Sequence, residues 1–235
     1  MSDALYMDDS YLKEFDATVL SVTDDKFVVL DQTAFYPNGG GQPHDEGVFI
    51  CNNEEYPVVF VGKFSGKISH EVSKPGLKEG DKIKGKINWE RRYTFMRMHT
   101  AAHIVSAILH KQHNVLITGN QISPEKTRID YNMEEFDKEK MKEYLAEADT
   151  AAKQNQDVTI SYLDREEALK DPDMVKLAGA LPPAVKQLRI VTIGDIDKQA
   201  DGGTHVKNTQ EIGTITFLKA ENKGKNNRRL YYTLE

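Results

Sequence analysis

The sequence predicts an α+β protein in which a small N-terminal β-barrel, residues 1–88, precedes a second domain, residues 89–235, combining helices with a largely antiparallel sheet. Three observations carry this expectation. Short β-rich runs divided by Gly, Pro and Asn clusters fill the first third of the chain. At Trp89 the apolar pattern switches to a helical spacing of three and four. Beyond that point helix and strand patterns intermix without regular βαβ alternation.

The elements follow in order. "ATVLSVTDDKFVVLDQTAFY" reads as two strands joined across Asp24 and Asp25, and "GVFI", "YPVVFVGKF", "GKISHEV" and "DKIKGKINW" supply further strands. The turn signal "KPGLKEGD" sits between the last two, and strands at this spacing suit a barrel or sandwich ending near residue 88. From Trp89 to about His110 there is no Gly or Pro, and Phe95, Met98, Ala102, Val105 and Leu109 form a helical stripe. Asn88 is placed to cap that helix, with Glu90 near the positive end of its dipole. "VLITG" and "TRIDY" follow as strands around a loop. A second helix is expected over 132–156, with Asn132 and Glu135 at capping-box spacing and Met141, Leu145, Ala148 and Ala152 on one stripe. "DVTISYL", "QLRIVTIG", "IGTITFL" and "RRLYYTL" complete the strands, and "DREEALKD" is a short helix.

Composition narrows the class. With 39% hydrophobic and 29% charged residues in 235, the chain reads as globular. No apolar run approaches the roughly 20 residues needed to span a bilayer, and the acidic start "MSDALYMDDS" lacks a signal peptide's pattern. The expectation is a cytoplasmic, monomeric protein with no membrane partner. A lone Cys51 allows no internal disulfide and has no base near it in sequence. The net charge of −6 argues against a uniformly basic nucleic-acid binder, but leaves room for local basic faces.

Two pairs of residues carry the chemistry. In "HTAAH", His99 and His103 stand four apart on the predicted first helix, so their imidazoles share one face. Thr100 stands where the zincin motif has glutamate, which disfavours a protease of that type. In "QADGGTHVKNTQEIG", Asp201 and His205 bring an oxygen and a nitrogen, both ordinary zinc ligands, and Gly202 and Gly203 allow a tight bend between them. A capped D-G-G turn is the bland alternative for the second pair. "FYPNGGGQPHDEG" is no phosphate loop, since it lacks G-x-x-x-x-G-K and no helix follows.

Four segments in order, 35–47, 97–109, 118–131 and 199–213, resemble the motifs of free-standing alanyl-tRNA editing proteins, which are related to the editing domain of alanyl-tRNA synthetase. The resemblance spans nearly the whole chain and implies a threonyl/alanyl-tRNA synthetase editing-domain-like fold for the second domain. It implies hydrolysis in trans of tRNA(Ala) mischarged with serine, and with glycine as a further substrate, at one zinc ion per chain. His99, His103 and His205 match the family's metal ligands. Asp201 stands where the synthetase-type pattern has cysteine, a harder donor in place of a softer one.

For the chemistry itself, Thr100, Gln121 and Thr204 are the candidates by their positions in the motifs, Gln121 foremost for lining the pocket. The resemblance gives Gly39, Gly40, Gly41 and Gln42 the role of a selectivity loop. For the tRNA phosphates, the candidates are Lys84, Lys86, Arg91, Arg92, Lys207, Arg228 and Arg229. The alternative reading is a non-catalytic tRNA-binding or regulatory module that retains the metal-site fold.

Overall fold

A computed structural model describes residues 3–135, 137–178 and 185–235. The chain forms two compact units, one through Phe95 and one from Met96 onward. The described residues include fifteen strands, three α-helices and three short 3-10 helices.

The first unit is built around a closed antiparallel barrel. Its short strand β1 (Asp3–Ala4) pairs in parallel with β4 (Gln32–Thr33), outside the barrel. The barrel strands are β2 (Glu14–Thr23), β3 (Phe27–Leu30), β5 (Gly47–Cys51), β6 (Glu54–Phe64), β7 (Lys67–Val72) and β8 (Lys82–Ile87). They close in the order β2-β3-β7-β6-β5-β8, so no strand edge is left open. Alternation fills the interior: Val19, Val28, Leu30, Phe49, Val61 and Ile68 are buried while their neighbours face outward. His70 is also inside, its Nε2 2.9 Å from Thr33 Oγ1 and its Nδ1 3.0 Å from the Val28 carbonyl. Both ring nitrogens are therefore satisfied in an apolar core, edge-on to Phe35 and Phe49.

The glycine-rich stretch is a tight turn of this unit. Gly39 and Gln42 exchange two backbone hydrogen bonds, of 3.1 and 2.9 Å. The two residues between them have positive φ, +57° at Gly40 and +84° at Gly41, a two-residue turn geometry that glycine adopts without strain. Tyr36 donates its hydroxyl to the Gly39 carbonyl, fixing the turn's base.

Helix α1 (Trp89–His113) begins where Asn88 accepts from the Arg91 N–H, the cap expected of it. The second unit then sets β9 (Ile117–Ile122) and β10 (Thr127–Tyr131) antiparallel in a four-stranded sheet, beside β15 (Arg228–Leu234) and then β14 (Ile215–Asn222), in the order β14-β15-β10-β9. Helix α2 (Lys138–Ala152) is shorter than the helix expected over 132–156. Asp137 caps it by accepting from Glu139 and Lys140, whereas the Asn132 amide is taken by the Leu116 N–H. Strand β11 (Val158–Asp164) leads into the one-turn α3 (Arg165–Ala168). Next come β12 (Gln187–Ile193) and β13 (Asp197–Ala200), which join β11 in a second antiparallel sheet. The chain ends on β14 (Ile215–Asn222) and β15 (Arg228–Leu234). No helix among the described residues is long and apolar enough to cross a membrane.

Candidate metal centre

His99 and His103 are one turn apart on α1, and both are almost fully buried. The segment after β13 carries Asp201 and His205 toward them. Strand β13 alternates, with Asp197 and Gln199 buried and Lys198 exposed, so its inner face continues into the turn. The four residues each offer one ligand atom, and these atoms all lie within 4.8 Å of one another. The ring centroids of His99 and His103 each lie 4.6 Å from that of His205. The three Nε2 atoms all face the Asp201 carboxylate, at 3.6 Å for His99, 3.9 Å for His103 and 3.0 Å for His205.

The glycines explain how the turn reaches this position. A Cβ on Gly203 would lie 2.1 Å from His99 Cε1 and 2.3 Å from its Nδ1, so the ring occupies the space a side chain would need. Gly202 faces open space, and its neighbour's N–H is taken up by Asp201, whose Oδ2 accepts from Gly203 at 2.5 Å. Asp201 is the open side of the cluster, with a fifth of its side chain exposed.

Hydrogen bonds fix the tautomers. Thr100 donates its hydroxyl to the Met96 carbonyl at 2.9 Å and accepts from the Val206 N–H at 3.3 Å. Its remaining partner is His205 Nδ1 at 3.1 Å, which must then be the donor, leaving a lone pair on Nε2. Asp197 performs the same service for His103, its Oδ2 lying 2.9 Å from Nδ1. With its proton on Nδ1, His205 cannot donate to Asp201 Oδ2, and a cation held between them would resolve that 3.0 Å approach.

The electrostatics fit the same use. Burial pushes His99 down to about 4, and burial together with the neighbouring His99 holds His205 well below the ordinary imidazole range. Both are neutral at pH 7, as a metal ligand must be. Burial also opposes charge on His103, yet its hydrogen bonds to Asp197 and Asp201 carry it up to about 9, so at neutral pH it holds a second proton, on Nε2, that a metal ion would displace on binding. Burial would raise Asp201, but His99 first, then His103 and His205, hold it well below the usual carboxylate range. Three imidazole nitrogens and one carboxylate form a donor set suited to a divalent ion such as zinc. A tetrahedral site with bonds near 2.1 Å spaces its ligands about 3.4 Å apart, so the cluster need contract only modestly around an ion.

Of the remaining candidates, Thr100 and Thr204 are buried at the cluster, Thr100 as the partner of His205. Gln121 is not brought there. It is exposed on β9 in register with Arg128, on the strand face opposite that of Ile122 and Thr127, and Thr127 packs on Met98 of α1. Two of the expected phosphate contacts are corrected by burial. Arg92 has no exposed surface and is ion-paired with the equally buried Asp45, while also donating to the Ser10 and Ala34 carbonyls. Arg228 is buried, with its guanidinium on the Glu135 and Gly224 carbonyls. Arg229 is partly exposed in a bidentate pair with Asp130. Lys84 and Lys86 are about half exposed around Glu14, and Arg91 reaches Glu46 and the His44 carbonyl. Lys207 is exposed. Asp197 escaped the sequence reading. Its signal was there, four residues before Asp201, but its inward direction depends on the pairing of β13 with β12.

The family model for the threonyl and alanyl tRNA synthetase second additional domain matches residues 188–231, and that for class II (A) tRNA synthetases matches residues 6–91. An alanyl-tRNA editing protein AlaX-M of Methanosarcina barkeri is 46% identical over all of this chain and 99% of its own length. The AlaX-M protein of Saccharolobus solfataricus is 46% identical over the full length of both. An alanine–tRNA ligase of Pyrococcus furiosus is 40% identical over 92% of this chain, which corresponds to 24% of the ligase. With 46% identity over the full chain, the chain belongs to the alanyl-tRNA editing protein family.

Proposed function

We propose that the protein is a trans-editing hydrolase that deacylates mischarged tRNA(Ala), chiefly seryl-tRNA(Ala) and also glycyl-tRNA(Ala), at a zinc site formed by His99, His103, Asp201 and His205. The observation that carries this reading is the convergence of those four side chains, from two segments about a hundred residues apart in sequence, within 4.8 Å of one another. The relatives' names supply the substrate class.

The bond to be cut is an activated ester between an aminoacyl carbonyl and a ribose hydroxyl. A zinc ion, when bound, supplies a Lewis acid that polarises a carbonyl or acidifies a water. The chain's own residues supply geometry. Asp197 and Thr100 keep protons on the Nδ1 atoms of His103 and His205, so both Nε2 atoms face inward, His205 with a free lone pair and His103 with one that becomes free once a metal ion displaces its Nε2 proton. The exposed edge of Asp201 marks the side from which an ester approaches.

Selecting serine over alanine is a hydroxyl problem, because a site built to hydrogen-bond that hydroxyl leaves polar groups unpaired when alanine binds. We assign this selection to Thr204 and to the turn Gly39–Gln42. Lys84, Lys86, Arg91, Lys207 and Arg229 are the residues we assign to the tRNA phosphates. Incubation of the zinc-loaded protein with labelled seryl-, glycyl- and alanyl-tRNA(Ala) tests the reading. Ester loss from the first two but not the third is expected. Tight tRNA binding with no ester loss would instead support a non-catalytic module, which the replacement of a cysteine ligand by Asp201 favours.

A further inference from the structure

Behind His103 lies a second buried pair. Lys176 comes from the segment before β12, and its ammonium is 2.5 Å from Asp197 Oδ1. Neither side chain is open to water, with 7% of Lys176 and none of Asp197 exposed. Ion pairs this deep are weak evidence for stability, because desolvating both charges consumes most of the attraction, and apolar residues of equal size often do as well. The pair therefore calls for another use.

Its connections supply one. Asp197 has both oxygens engaged, Oδ1 with Lys176 and Oδ2 with His103 Nδ1 at 2.9 Å and Gln199 Nε2 at 2.9 Å. An ionised carboxylate only accepts, so the Gln199 amide and His103 Nδ1–H, 2.8 Å from each other, both donate to Asp197 Oδ2, and His103 turns Nε2 to the cluster. Lys176 is itself anchored by its main chain. Its carbonyl accepts from the Ile117 N–H at 2.8 Å, and the Ala178 N–H donates to the Ile117 carbonyl at 2.7 Å. The ammonium thus extends from a segment tied to β9 and holds Asp197 on β13 in one rotamer. It also cancels the charge of Asp197, while Asp201, whose Oδ2 lies 3.9 Å from the buried Arg189 Nη1, is the carboxylate directed at the three imidazoles.

We infer that Lys176 and Asp197 form a positioning pair for His103, in which Lys176 sets the affinity and geometry of the metal centre without touching the ion. The inference rests on the four-residue cluster being a metal centre. It is tested on the full chain by zinc affinity from chelator competition and by the visible absorption of the cobalt-substituted protein, which reports ligand geometry. Asp197→Asn is expected to weaken zinc binding roughly 10–100-fold, the usual consequence of losing such a partner. Lys176→Met is expected to weaken it at least about tenfold and to alter the cobalt spectrum, with partial recovery in Lys176→Arg. The double variant should bind no worse than Asp197→Asn alone, because the two residues act as a unit. Lys176→Gln serves if the methionine variant does not fold. Variants that melt at lower temperature but keep the wild-type zinc affinity and cobalt spectrum would reduce the pair to a structural role and overturn the inference. A wild-type chain that binds no zinc would overturn it through the metal centre itself, whereas zinc binding indifferent to both residues would overturn the inference alone.

Discussion

Thr100 on α1 and His205 in the turn after β13 are 105 positions apart in sequence and meet at 3.1 Å, hydroxyl oxygen to Nδ1. Every bonding capacity of that hydroxyl is used, so Thr100 belongs to the support of the centre. Replacing it with valine keeps the shape but strands the His205 and Val206 N–H groups. Thr100→Val is expected to lose about 1–3 kcal/mol of stability and roughly tenfold or more in zinc affinity. Thr100→Ser should keep most of both. Urea denaturation and chelator competition measure the two effects, and an unaltered affinity in the valine variant would disconnect Thr100 from the site.

The two glycines of the late turn are expected to behave differently. A Cβ at Gly203 meets His99 at 2.1 Å, while at Gly202 it meets nothing within 4 Å. Gly203→Ala should displace the His99 ring and reduce bound zinc below one equivalent per chain, with the circular dichroism of the fold retained. Gly202→Ala should bind zinc as the parent does. Equal zinc content in both variants would contradict the packing described.

Arg92 shows what the sequence withheld. It stands in the run Lys82 to Arg97, where every cation reads as a surface charge, yet its partner Asp45 is 47 positions away and inside the first unit. Losing one member of such a buried pair leaves the other charge stranded. Arg92→Ala should therefore cost the fold about 3–5 kcal/mol. Lys84→Ala and Lys86→Ala, with half-exposed side chains sharing Glu14, should stay within roughly 0.5 kcal/mol of the parent. We expect the lysine variants to weaken tRNA binding with a shallower salt dependence, and an unchanged dissociation constant would remove them from the tRNA face.

The barrel and α1 were legible because both depend on local patterns: alternation in the strands, and an unbroken stripe from Phe95 to Leu109. The residues of the four-membered cluster were legible because histidines four apart and the D-G-G-T-H turn are short-range signals. Contacts set by tertiary pairing were not. The start of α2 was misread because Asn132 and Glu135 have capping-box spacing, while the Asn132 amide is used by Leu116 from a neighbouring loop. Gln121 reads as pocket-facing within its motif, but its direction follows from the register with Arg128. Asp197 and Lys176 gave no pattern of their own, since each acquires meaning only through the other.

His70 in the barrel gives a pH dependence of stability. Burial pushes it down to about 4, against an ordinary value near 6.5 in the unfolded chain. The unfolded state therefore binds a proton that the folded state refuses. Stability from this residue is complete above pH 6.5 and is lost as the pH falls toward 4, by about 2 kcal/mol between pH 7 and 5. His70→Gln removes the titration, so the loss of urea stability between those pH values should be smaller in the variant by that amount. A parallel decline in both proteins would show that His70 does not titrate as its burial requires.

The most direct measurement is anomalous diffraction at the zinc absorption edge from crystals of the zinc-loaded chain. The expected result is one peak per chain, roughly 2.0–2.2 Å from His99 Nε2, His103 Nε2, His205 Nε2 and an Asp201 carboxylate oxygen. A peak elsewhere, or no peak in protein loaded with zinc, would contradict the centre on which the proposed hydrolysis depends.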